Sequence, residues 1–160
     1  MVDSFTKGKS LGSFVLISCT FLEIYAMKQV DHIGIAVSDL SSAIDHFSSL
    51  LNTPCYKTEE VESQKVTTAF FKLKEQKIEL LAATSNESTI ANYIERYGEG
   101  IHHIAFEVED VEVEMKRLAA EGFSPLQEKP FKGADNKMVA FFHPKTTHGV
   151  LVEICQEIPS

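Results

Sequence analysis

What the sequence has little of narrows the field first. Basic residues are scarce: 15 lysines and arginines stand against 23 aspartates and glutamates, a formal net charge of −8 over 160 residues. That sign excludes nonspecific binding to nucleic acid or to an anionic membrane, which needs a basic face. Cysteine is nearly absent. Cys19, Cys55 and Cys155 are widely spaced, odd in number and without a CxxC pair, so free thiols in a cytoplasmic protein are expected, not a disulfide framework. The apolar run LGSFVLISCTFL has 12 residues, where a membrane span needs about 20. A glycine-rich phosphate loop, a Ser-His-Asp pattern and a reactive-cysteine context are all missing.

What is there is an ordinary globular composition, 44% hydrophobic and 24% charged, long enough for one well-buried domain. Residues 1–26 read differently from the rest. Lys7 and Lys9 precede the apolar run as in a secretion signal, but Glu23 follows it and no A-x-A cleavage site is in view. The segment is expected to be an extension outside the fold, with Met27 the natural start of a single domain over residues 27–160.

That domain repeats itself. A shift of 71 residues lays VDHIGIAVSDL (30–40) on IHHIAFEVEDV (101–111), with His32 on His103 and Asp39 on Asp110. Ala69-Phe70-Phe71 falls on Ala140-Phe141-Phe142 at the same offset, and KIELL matches LVEIC after a three-residue insertion. The common order of these matches indicates a duplication. Each copy begins with a strand-like alternation. A helix follows, marked by Leu40, Ala43, Ile44, Phe47 and Leu51 in one copy and by Val111, Met115, Leu118 and Ala119 in the other. Ser38 or Asp39 is the expected N-cap of the first helix, and Gly122 the stop of the second. Three more strands are predicted in each half, near 55–60, 66–73 and 77–81, then near 124–128, 137–142 and 150–155. The plan is βαβββ twice: one module at about 28–84, a linker helix at about 87–98 capped by Ser88, and a second module at about 100–157.

Alternation along a strand sends neighbouring side chains to opposite faces. Ile33, Ile35 and Val37 share an apolar face, which leaves His32 on the other face beside the small residues Gly34 and Ala36. Such neighbours are expected to leave space above the sheet. His103, beside Ala105, repeats the pattern, while Glu79 and Glu153 point away from their apolar neighbours on the last strand of each half. Each module thus contributes one imidazole and one carboxylate, and His32, Glu79, His103 and Glu153 suit one divalent cation of the Zn, Mn or Co kind. Unpaired buried glutamates would be costly, and a shared cation removes that cost. His102 aligns with Asp31 and is expected to face away, as a surface residue, with a place at the cavity edge behind a ligand as the alternative. His46 and His148 have no counterpart in the other half.

The strings DHIGIAV, QKVTTAFF, KIELL, ESTIANYI, GIHHIAFEVED and HPKTTHGVLVEICQ span nearly all of residues 27–156. In this order they resemble the vicinal-oxygen-chelate superfamily, with its glyoxalase-like fold, and within it the methylmalonyl-CoA epimerases. The resemblance implies an α+β fold whose two βαβββ modules share one cupped mixed sheet. By position it makes His32, Glu79, His103 and Glu153 the metal ligands. It further implies a CoA thioester substrate, α-proton transfer through a metal-stabilised enolate, and a homodimer. Glu153 is then the named proton-transfer residue. Thr68 stands where some relatives carry a second carboxylate. Lys129, Lys132, Lys137 and Lys145 form a cluster that could steer the CoA phosphates. A glyoxalase I type isomerase and a non-catalytic ligand-binding module of the same fold are the alternatives.

Overall fold

The structure is a computed structural model that describes residues 27–159; the extension expected at 1–26, with Cys19, lies outside them. In chain order the elements are β1 (Gln29–Ala36), α1 (Leu40–Leu51), β2 (Lys57–Val61), β3 (Val66–Leu73), β4 (Gln76–Ala83), α2 (Thr89–Tyr97), β5 (Gly100–Glu107), α3 (Val111–Ala120), β6 (Phe131–Lys132), β7 (Lys137–Phe142) and β8 (Val152–Glu157). The local signals act as expected. Asp39 caps α1 by accepting from Ser42 N at 3.0 Å, Ser88 caps α2 through Ile90 N at 3.1 Å, and Asp110 caps α3 through two backbone N–H groups. Gly122, at φ 95°, takes the left-handed conformation that turns the chain away after α3.

All eight strands form one curled mixed sheet in the order β2-β3-β4-β1-β5-β8-β7-β6. The two halves meet at the antiparallel pair β1–β5, and each of these central strands pairs in parallel with the last strand of its own half, β4 or β8. On the outer face of the sheet, Val37, Ala69, Phe71 and Leu80 pack against Leu40, Ile44 and Phe47 of α1. The second half does the same with Ala140, Phe142 and Ile154 against Met115 and Leu118 of α3. Phe71 and Phe142, equivalent under the duplication, are 0% and 1% exposed. Phe71→Ala is therefore expected to destabilise the fold by about 3–5 kcal/mol. A urea titration would show this as a lower midpoint with an unchanged slope.

One expected strand is missing. Residues 124–128 make only the isolated bridge Pro125–Phe142, and the edge strand is β6, two residues long. Pro125 and Pro130 have no N–H to offer a ladder, so the segment that contains them runs irregularly. With α1 and α3 on the outer face, the inner face of the sheet is free for polar side chains.

Candidate metal centre

The register of the central strands builds the site. Across β1–β5, His103 stands opposite Gly34 and His32 opposite Ala105. Glu79 on β4 is the neighbour of Gly34 on its other side, and Glu153 on β8 is the neighbour of Ala105. Two adjacent rows of the sheet therefore read Glu79-Gly34-His103 and His32-Ala105-Glu153. Gly34 and Ala105 are equivalent positions, 71 residues apart. The small residue of each half lies beneath the imidazole of the other, so the space expected above them is filled by rings.

All four side chains converge, each 3–6% exposed. His32 Nε2 lies 3.0 Å from His103 Nε2 and 3.2 Å from Glu79 Oε2. His103 Nε2 lies 3.3 Å from Glu153 Oε2 and 3.6 Å from Glu79 Oε2, while His32 Nε2 is 3.9 Å from Glu153 Oε2. Donors about 2.1 Å from a common cation are separated by about 3.0–3.4 Å along an octahedral or tetrahedral edge. Two imidazoles and two carboxylates at these separations fit a divalent transition ion, and His32, His103 and Glu153 form a compact donor group.

Without a cation the cluster holds its charge through protons. Burial pulls the His32 pKa down, but Glu153, Asp31 and Glu79 outweigh it and raise the value to about 10. Burial opposes ionisation of Glu79, yet the two imidazoles lower its pKa to about 2. Glu153 moves the other way: burial raises its pKa, and the imidazoles offset only part of that rise. These directions set a pH window for the metal-free protein. The depressed Glu79 adds stability above the unfolded carboxylate value of about 4.3, lost as pH falls toward 2. The raised His32 adds stability below about 6.5, lost as pH rises toward 10. His102, whose pKa burial and the neighbouring His103 lower to about 4, subtracts stability as pH falls from about 6.5. The thermal midpoint in chelator is therefore expected to peak near about pH 6.5 and to fall on both sides. A divalent cation, by taking the place of the imidazole proton, should restore the loss at about pH 8.5.

Two residues whose roles the alternation pattern misassigns surround the cluster. β1 and β5 each carry a bulge one residue before the histidine, because the register shifts between Val30 and His32 and again between Gly34 and Ile35. The extra residues are Asp31 and His102. A bulge turns its side chain out of strict alternation, so His102 is half-buried, not a surface residue. Its Nδ1 lies 3.0 Å from His103 Nδ1, and its ring packs edge-on against Tyr93. Burial and the neighbouring His103 lower its pKa to about 4. Asp31 accepts from His32 Nδ1 at 2.8 Å and from Lys137 Nζ at 2.7 Å, with Lys77 Nζ at 3.2 Å. Burial opposes its charge, but these partners hold the carboxyl well below the usual range.

Lys137 does not belong to the expected phosphate-steering cluster. At 3% exposed and paired with Asp31, it is not free to meet a phosphate, whereas Lys129, Lys132 and Lys145 are more accessible. Thr68 is buried in the cavity wall; its hydroxyl can donate a hydrogen bond but is no base at neutral pH. His46 and His148 are exposed and remote from the cluster's contacts. The four donors line a narrow cavity of about 30 Å³, room for about one water or an ion. His103, Gln64, Leu81 and Phe141 also line a neighbouring cleft of about 450 Å³, with His102 and Phe131. A substrate-sized space thus adjoins an ion-sized one.

Among the described residues no helix is long and apolar enough to cross a membrane. The sequence matches the Glyoxalase/Bleomycin resistance protein/Dioxygenase superfamily over residues 31–141. It is 35% identical over 130 residues to the uncharacterized protein YqjC of Bacillus subtilis, covering 81% of this chain and 93% of that one. It is 37% identical over 130 residues to the ethylmalonyl-CoA/methylmalonyl-CoA epimerase of Cereibacter sphaeroides, covering 80% and 97%. Its structure superimposes on that of a variant of Streptomyces coelicolor methylmalonyl-CoA epimerase in complex with 2-nitronate-propionyl-CoA. That match has a TM-score of 0.81 at 30% identity and covers 84% of this chain and 100% of the other. The same curled sheet and the same sequence pattern are shared over most of the described chain, and the protein belongs to the glyoxalase/bleomycin resistance protein/dioxygenase superfamily.

Proposed function

We propose that this protein is a metal-dependent epimerase that interconverts (2R)- and (2S)-methylmalonyl-CoA. What carries the reading is the set of four donors at the foot of a substrate-sized cleft, in a chain 37% identical to an epimerase acting on that class of thioester. His32, Glu79, His103 and Glu153 are the proposed ligands of one divalent cation, Co, Mn or Zn. That cation, when bound, supplies a fixed positive charge for the enolate oxygen. Glu153 is the proposed proton-transfer residue, a buried carboxylate of the cavity that can take a proton where it loosens from the cation. Phe141 and Leu81, which line both the cavity and the cleft, keep water from the acidic α-carbon and strengthen the electrostatics there. Lys129, Lys132 and Lys145 remain the candidates for the CoA phosphates.

The domain limits 27–160 and a homodimer belong to the same proposal. Support for the dimer comes from the exposed apolar side chains of Tyr97 and Ile101, 69% and 60% accessible, and sedimentation would decide it. The test of function is deuterium exchange. The metal-loaded chain, given (2S)-methylmalonyl-CoA in heavy water, is expected to deuterate the α-carbon and produce the other epimer, and to stop doing so in chelator. A loaded protein that exchanges nothing would overturn the reading and point to a hemithioacetal of the glyoxalase I type.

A further inference from the structure

The two halves differ, at equivalent positions, in the residue that each bulge places against its histidine. In the first half it is Asp31, whose carboxylate takes the Nδ1–H of His32 at 2.8 Å and is itself fixed by Lys77 and Lys137. In the second half it is His102, whose Nδ1 lies 3.0 Å from His103 Nδ1 and whose ring rests edge-on against Tyr93 at a centroid distance of 4.9 Å. Both ligand histidines turn their Nε2 atoms toward each other, 3.0 Å apart. For Nε2 to offer a lone pair to a cation, the ring proton must sit on Nδ1. Asp31 accepts that proton's hydrogen bond in one half, and His102 stands at hydrogen-bond distance from it in the other. Strict alternation would aim both residues at the opposite face; the bulge is what brings them round.

We infer that His102 is the positioning residue for His103, as Asp31 is for His32: the Nδ1 lone pair of His102 accepts from His103 Nδ1–H and holds the ring with Nε2 facing the cation. His102 in turn carries its own proton on Nε2, and the Tyr93 ring packed against it limits its rotation. An anionic orienting group serves one ligand and a neutral one the other, so the two imidazoles are unequal donors. This inference rests on the metal-centre reading above.

The test uses the full chain and the metal alone. Co²⁺ is titrated against a chromophoric chelator while its visible absorption is recorded. His102→Phe keeps an aromatic ring against Tyr93 but has no acceptor, and it should weaken Co²⁺ binding about 10–100-fold and alter the band shape. His102→Asn places an amide oxygen near the lost Nδ1 and should recover affinity to within about threefold. In parallel, nitrogen NMR of the unaltered, zinc-loaded chain should report Nδ1–H on both His32 and His103. Equal affinity and an unchanged spectrum in His102→Phe, or a metal-bound Nδ1 on His103, would overturn the inference while leaving the metal centre standing. An unaltered chain that takes up no Co²⁺ would instead overturn the metal centre, and the inference with it.

Discussion

Glu153→Gln is expected to lose about 10²–10⁴-fold in epimerisation rate even when saturated with metal. Glutamine keeps the shape and a donor oxygen at this 4% exposed position, so the fold and a weakened cation site both survive. What it cannot do is take a proton. Glu79→Gln is the internal control, since it removes the same charge from the equivalent strand while leaving Glu153 in place. Glu79 lies 3.2 and 3.6 Å from the two imidazole Nε2 atoms and is proposed as a ligand alone. Glu79→Gln should therefore bind metal more weakly but keep most of its rate at saturation. The check is kcat measured over a series of metal concentrations for both variants. Full recovery of Glu153→Gln by added metal would reduce Glu153 to a ligand and leave the proton-transfer role to another group.

The second large effect belongs to a residue with no side chain. A Cβ added at Gly34 would lie 2.2 Å from Cε1, 2.5 Å from Nδ1 and 2.7 Å from Nε2 of His103, against a comfortable separation of about 3.5 Å. The ring has nowhere to retreat. His32 and Glu153 stand at 3.0 and 3.3 Å on its Nε2 side, His102 stands at 3.0 Å on its Nδ1 side, and Phe141 packs edge-on against it. Gly34→Ala is expected to lower metal affinity by at least about 100-fold, and activity with it, for a stability cost of about 1–3 kcal/mol. Metal content after dialysis, set beside the thermal midpoint, separates the two effects. A folded Gly34→Ala protein that keeps a stoichiometric cation would show that His103 is not confined by this register.

Much of this was legible in the sequence because the duplication doubled each weak signal. One histidine near a strand start says little, but His32 and His103 at the same place in two copies, each with a glutamate on the matching last strand, select four residues that the sheet does bring together. The helices were equally readable, since caps and apolar spacing are local. What stayed hidden depends on pairings between distant strands. A bulge is a property of two strands in register, so alternation within GIHHIAFEV placed His102 on the wrong face. Lys137 looked like one of several loop lysines because its partner, Asp31, lies 106 residues away. Gly34 read as empty space for the same reason: the ring above it comes from the other half. The strand predicted at 124–128 is absent for a simpler reason, as Pro125 within it and Pro130 just beyond have no N–H to offer a ladder.

The crossing of the rows, with each imidazole above the other copy's small residue, means that one βαβββ unit alone owns half a site. Two identical units facing each other would own a whole one, with every group present twice and interchangeable. Joining them in tandem adds no new group; it lets the twins become unlike. Glycine could stay on one side while alanine settled on the other, an acid could stand behind one ring and a second imidazole behind its sibling, and two glutamates could take opposite proton affinities. A substrate whose two ends differ meets different groups in the two halves, and the tandem arrangement is what permits that.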